Sequence, residues 1–145
     1  MNPDLTLYRG PVLVTIAYIF LYYAFIVVFV LRTKIRLKNE YHARGESFDR
    51  YFGGDREMLA ADRIQLNMLE HMAPFLVLMW LNAVFVNVSF ATAVGALYVA
   101  SRLVYPLTMG SKLGSGVPNL ILLSTVPGYG VIAAYAAALI WALMG

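Results

Sequence analysis

Long uncharged runs separated by short polar segments dominate the chain. The first run extends from Pro11 to Leu31, and the second covers residues 72–90 with the sequence MAPFLVLMWLNAVFVNVSF. A transmembrane helix needs about 20 predominantly apolar residues, so each run is long enough to cross a bilayer. The whole pattern predicts transmembrane helices at about residues 11–32, 57–87, 89–109 and 118–144, with one polar loop at about 33–56.

The composition indicates the same class of protein. Of the residues, 61% are hydrophobic and only 13% are charged, whereas about 25% are charged in ordinary soluble domains. We therefore predict an all-α integral membrane four-helix bundle that forms a single domain over residues 1–145. The run Pro11–Leu31 is longer than the roughly 7–15 apolar residues of a signal peptide. We interpret it as a retained first span.

The positions of the basic residues indicate an orientation. Seven of the 11 Lys and Arg residues lie in the polar segment 32–62. Because loops rich in Lys and Arg stay on the cytoplasmic side, we predict a cytoplasmic loop with both termini outside. The net charge of +3 then reflects orientation in the membrane rather than binding to nucleic acid. Cations such as Arg32 and Lys34 either anchor lipid headgroups or bend back to an anionic ligand.

Polar side chains are concentrated on two helices near the cytoplasmic side. Arg63, Asn67 and Glu70 are spaced i, i+4 and i+7, which places them on one face of the second span. Arg102 and Tyr105 are spaced i and i+3 in the third span. Because these two spans are antiparallel, both faces reach the same side of the membrane.

Charged groups in a span need partners, because Arg at a helix centre costs about 2.5 to 3.5 kcal/mol on insertion scales. One interpretation is a salt bridge that joins helices, either Arg63 with Glu70 or Arg102 with Glu70. The other is a ligand, since two guanidinium groups hold carboxylates and Glu70 holds an ammonium group. A zwitterion with two carboxylates and one amine satisfies this set, and glutathione is such a molecule. The chain has no cysteine, so any thiol chemistry requires a bound thiol.

Two motifs resemble those of the MAPEG superfamily, the membrane-associated proteins of eicosanoid and glutathione metabolism. They are Arg63-x-Gln65-x-Asn67-x-x-Glu70, leading through His71 into Pro74-Phe75, and Arg102-x-x-Tyr105. The resemblance implies a homotrimer with glutathione as cofactor between neighbouring protomers at the cytoplasmic side. It also implies one wall made of Arg63, Gln65, Asn67, Glu70 and His71, and a second wall made of Arg102 and Tyr105 from the adjacent subunit.

The chain departs from the family's leukotriene-conjugating branch at two important positions. His71 stands where that branch has a tyrosine, and Gly116 stands where it has the arginine that stabilises the glutathione thiolate. A thiol with a pKa of about 8.5 needs a nearby cation to favour the thiolate. Lys112 is the nearest cation, and it is either this catalytic group or a loop-end anchor. No second histidine lies near His71, so we expect no metal site.

The resemblance and the polar residues together predict a membrane-bound, glutathione-dependent transferase. It would present a glutathione thiolate to hydrophobic electrophiles or hydroperoxides that arrive from the bilayer. The alternative is a non-catalytic lipid-binding or scaffold protein with the same fold, which the missing arginine would suit. A transporter is a third hypothesis, but the outer halves of the spans offer few polar residues for a path, chiefly Asn82 and Asn87.

Overall fold

The computed structural model describes residues 5–109 and 122–145. Regular structure within these ranges is helical, and four stretches are long and apolar enough to cross a membrane. The prediction of an all-α membrane bundle with four spans is confirmed. The helices are α1 (Arg9–Phe25), α2 (Arg32–Ala43), α3 (Arg56–Phe85), α4 (Val88–Met109) and α5 (Leu122–Met144), and a π-helical segment (Ile26–Leu31) joins α1 to α2.

The first helix extends further than the sequence predicted. The polar loop was expected from about residue 33, but the helix continues through the π-helical segment and α2 to Ala43. Burial of Leu37 favours the continuation, because its side chain belongs to one buried apolar cluster with Val30 and Met58. The helix then ends before Gly45, which adopts the positive φ of 72° that glycine tolerates best.

Side-chain caps fix the beginnings of α3 and α4. The Asp55 carboxylate accepts hydrogen bonds from the backbone N–H groups of Glu57 and Met58, each at 3.0 Å, and this cap starts α3. Asn87 begins α4 in the same way, since its Oδ1 accepts from the backbone N–H of Phe90 at 2.9 Å. The chain therefore turns at the predicted place and sends α4 back antiparallel to α3.

Aromatic side chains fill the core between the spans. Phe75 of α3 stacks on Tyr98 of α4 with ring centroids 3.9 Å apart, and Tyr18 of α1 meets Phe75 edge to face at 5.1 Å. The Tyr18 hydroxyl donates to the backbone carbonyl of Met68 at 2.7 Å. Tyr135 brings in α5, because its hydroxyl donates to the carbonyl of Ala91. These contacts fix α1, α3, α4 and α5 relative to one another.

Candidate functional site

The polar face of α3 lies at the depth of an uncharged stretch of the first span. Val30 packs against Met58, and Tyr18 donates to the carbonyl of Met68. Residues 58–68 of α3 therefore run alongside residues 18–30, which carry no charge. Arg63 and Asn67 lie in this part of α3, so their partners determine whether their position is tolerated.

Arg102 and Asn67 connect the two sequence motifs within one protomer. Arg102 Nη1 donates to Asn67 Oδ1 at 2.7 Å, and the Arg102 side chain is fully buried. Its guanidinium carbon lies 4.8 Å from the ring centroid of Tyr98 and 5.9 Å from that of Tyr105. The two aromatic rings provide favourable cation–π contacts in a region that water does not reach.

Gly128 of α5 makes room for the Arg102 side chain. A Cβ atom on Gly128 would overlap Arg102 Nη2, so only glycine allows the guanidinium to lie against this helix. The sequence around Gly128 gives no indication of this neighbour, because Arg102 comes from another helix. Within the described part of the chain, Arg102 Nε and Nη2 have no hydrogen-bond acceptor. A buried guanidinium with two unused donors is energetically unfavourable.

Arg63 and Glu70 are exposed on the outer face of α3. Among residues 5–109 and 122–145, no ion pair joins Glu70 to Arg63 or to Arg102, so the structure does not show the helix-joining salt bridge. An exposed carboxylate and an exposed guanidinium on one face of a span require partners outside the protomer. A ligand or a neighbouring subunit can supply such partners.

Gln65 and His71 lie apart from that exposed face. Gln65 is two residues from Arg63, and an α-helix turns about 100° per residue, so the two side chains point to nearly opposite sides of α3. His71 is buried at 7% exposure, and its ring meets Tyr129 of α5 edge to face at 4.9 Å. Tyr105 is also buried, at 3% exposure. One protomer therefore presents Arg63, Asn67 and Glu70 on one face of α3 as a polar wall, and Gln65 faces elsewhere.

The proposed thiolate-stabilising residue Lys112 lies outside the described residues, as does Gly116. The described residues contain no group of three His, Asp or Glu side chains that could hold a metal ion.

Sequence comparison identifies the family. None of the curated proteins matches the chain. The profile of the MAPEG family matches residues 11–144, which is nearly the whole length. The matched region contains all the predicted site residues and the four candidate spans. The chain is therefore an integral, multi-pass membrane protein of the glutathione and eicosanoid metabolism type, and it belongs to the MAPEG family.

Proposed function

We propose that this protein is a membrane-bound glutathione transferase. The observation that supports the proposal best is the polar wall of Arg63, Asn67 and Glu70 on one span. Arg63 and Glu70 are exposed there, and the half-buried Asn67 accepts a hydrogen bond from Arg102. Its charges match the carboxylates and the amine of glutathione. Membership of the MAPEG family makes glutathione the ligand to test first.

Each residue of the wall has a separate role in this proposal. Glu70 accepts hydrogen bonds from the glutathione ammonium group, and Arg63 donates two parallel hydrogen bonds to a carboxylate. Because Asn67 Oδ1 already accepts from Arg102, Asn67 Nδ2 is directed to the ligand as a donor. Arg102 is then a positioning residue, which acts through Asn67 without touching glutathione.

A homotrimer would complete the site. Glutathione would lie between two protomers. One protomer would contribute the polar wall, and the neighbouring protomer would contribute Gln65 from the opposite side of its own α3. The buried positions of His71 and Tyr105 give them supporting roles behind the wall. The basic segment after the first span would be cytoplasmic with both termini outside, so the site would open toward the cytoplasm.

The reaction would join the glutathione sulfur to an electrophile that reaches the site from the bilayer. The thiol first loses its proton to water, and a cation such as Lys112 favours the resulting thiolate. The sulfur then attacks an electrophilic carbon, so that a C–S bond forms while the leaving group departs with the bonding electron pair. The protein contributes mainly by holding the two reactants together and stabilising negative charge.

Glutathione affinity of the purified protein tests the ligand. Glu70→Gln should weaken binding about ten-fold or more, because a hydrogen bond to a charged group contributes about 1.5 to 3 kcal/mol. Glu46→Gln is the matched control, since Glu46 is an exposed loop carboxylate that pairs with Arg44. Titration calorimetry in detergent gives both affinities. Negligible binding to the wild-type protein, or equal affinity of both variants, would contradict the proposal.

Conjugation of chlorodinitrobenzene by the same preparations separates an enzyme from a scaffold. The enzyme should form the glutathione adduct faster than the uncatalysed mixture, and Glu70→Gln should reduce that rate. A protein that binds glutathione but does not accelerate conjugation of any tested electrophile would instead support the scaffold alternative.

A further inference from the structure

A cavity of about 370 Å³ opens at the end of the bundle that carries the basic segment, away from the polar wall. It lies between the first helix, α3 and α4, near the predicted membrane surface. On α3 its wall includes Ile64, which points about 100° away from Arg63. The residues that line it are Phe29, Thr33, Arg36, Glu57, Ala60, Ala61, Ile64, Pro106 and Leu107.

The cavity has an apolar part and a charged end. Phe29, Ile64 and Leu107 provide hydrocarbon surface, whereas Arg36 and Glu57 provide ionic groups at the other end. A ligand that matches both parts must be an amphiphile, with an apolar chain and a polar head. Because Leu107 is 81% exposed, the apolar part is open to lipid.

Two irregular backbone segments border this cavity. Phe29 belongs to the π-helical segment Ile26–Leu31, and Pro106 interrupts the hydrogen bonding of α4 from inside that helix. π-Helical turns are rare overall, but those that occur often lie at functional sites. Because the π-helical segment and Pro106 lie on either side of one cavity, we interpret the cavity as a specific feature of the fold.

The charged end favours a zwitterionic head group. Arg36 Nη2 lies 2.8 Å from Glu57 Oε2, and Arg36 Nη1 lies 2.7 Å from Glu40 Oε1. These three side chains carry a net charge of minus one, and Arg36 is already paired with both glutamates. A purely anionic head group would therefore find no unpaired cation among them. The Arg36–Glu40 pair is nearly half exposed on both sides, and exposed i, i+4 ion pairs stabilise a helix only weakly. A lipid head group can therefore replace Glu40 as the partner of Arg36.

We propose that this cavity binds one zwitterionic phospholipid of the phosphatidylethanolamine type. The lipid phosphate replaces Glu40 at Arg36 Nη1, and the lipid ammonium group pairs with the released Glu40 carboxylate. One acyl chain lies along Phe29, Ile64 and Leu107, while Glu57 keeps its bond to Arg36. This site involves neither Arg63 nor Glu70, so the lipid proposal can be tested separately from the glutathione site.

Native mass spectrometry of the full-length protein, released from nanodiscs of defined composition, tests the proposal. In nanodiscs that contain phosphatidylethanolamine and phosphatidylglycerol, the wild-type protein should retain one phosphatidylethanolamine per protomer. Arg36→Gln should lower that occupancy about ten-fold, since a hydrogen bond to a charged group is lost. Arg44→Gln is the matched control, because Arg44 forms a similarly exposed ion pair, with Glu46, outside the cavity.

A second pair of variants tests the apolar part of the cavity at exposed positions, where a substitution should not unfold the protein. Leu107→Ser should reduce retention of the lipid, whereas Leu103→Ser, one turn earlier on α4 and also exposed, should not. Equal lipid loss in Arg36→Gln and Arg44→Gln, or equal retention of both lipid classes by the wild-type protein, would overturn the proposal. So would a change in oligomeric mass in Arg36→Gln with no change in lipid occupancy, because a second copy of the chain would then cover the cavity.

Discussion

Arg50 and Arg102 are held in opposite ways. Arg50 forms two parallel hydrogen bonds to the Asp62 carboxylate, at 2.6 and 2.7 Å, and the pair remains partly exposed to solvent. Arg102 is fully buried, yet its hydrogen bond to Asn67 reaches only a neutral amide. The first arginine ties the polar loop between α2 and α3 to α3, and both of its Nη atoms donate to the carboxylate. The second keeps a charge in the core with donors unused, which is typical of a group placed for function rather than for stability.

The strongest test of this contrast removes the space that Arg102 occupies. Gly128→Ala should destabilise the protein by about 1 to 3 kcal/mol, because the new methyl group overpacks the core against the guanidinium. Gly130→Ala is the control, since no atom lies within 4 Å of its added Cβ, and alanine favours a helix by about 0.8 to 1 kcal/mol over glycine. Thermal unfolding in detergent should therefore show opposite shifts. Equal shifts would mean that Arg102 does not depend on Gly128.

The next test separates function from stability at the two arginines. Arg102→Met should weaken glutathione binding about ten-fold, a change of about 1.4 kcal/mol, with little loss of stability, because an apolar residue replaces an underpaired buried charge. Arg50→Met should leave glutathione affinity unchanged and lower stability by at most about 1 kcal/mol, the usual value of an exposed pair.

Calorimetry and thermal unfolding of both variants check this prediction. A large loss of stability in Arg102→Met would assign Arg102 a structural role. A loss of glutathione affinity in Arg50→Met would remove the distinction between the two arginines.

The smallest expected effect concerns the turn that follows Asp49 in the polar loop between α2 and α3. The backbone N–H groups of Phe52 and Tyr51 donate to the Asp49 carboxylate at 2.9 and 3.0 Å, and these bonds hold the pKa of Asp49 below its ordinary value. The turn is therefore stabilised by ionised Asp49 above the unfolded-state pKa of about 3.9. That contribution is lost as the pH falls through the lower, folded-state pKa.

An NMR pH titration should show the amide protons of Tyr51 and Phe52 shifting together, with a midpoint below about 3.9. Asp49→Asn keeps a side-chain acceptor but does not titrate, so its two amides should not show this transition. A midpoint at or above the ordinary value would mean that the turn does not depend on the carboxylate.

The contrast between the two arginines also shows where sequence reasoning stopped. Charge patterns identified Arg102 and Asn67 as polar residues of neighbouring spans, but a period of 3.6 residues cannot say which of two faces a helix buries. Gly128 had no signal of its own, because its importance comes from a side chain 26 positions away in the sequence. The polar residues of α2 were predicted as loop for a related reason, since the sequence does not show that Leu37 is buried in one apolar cluster with Val30 and Met58.

The sequence pattern alone predicted the class, the four spans and the family of this protein. Uncharged runs of about 20 residues predict helices across a bilayer, because hydrocarbon offers the backbone no hydrogen-bond partners and a helix pairs these groups within one segment. The tertiary structure determines which polar residues are buried and which are exposed. It buried Arg102 behind Asn67 and left Arg63 and Glu70 exposed. These choices depend on how the helices pack against one another, and local spacing along one helix does not contain that information.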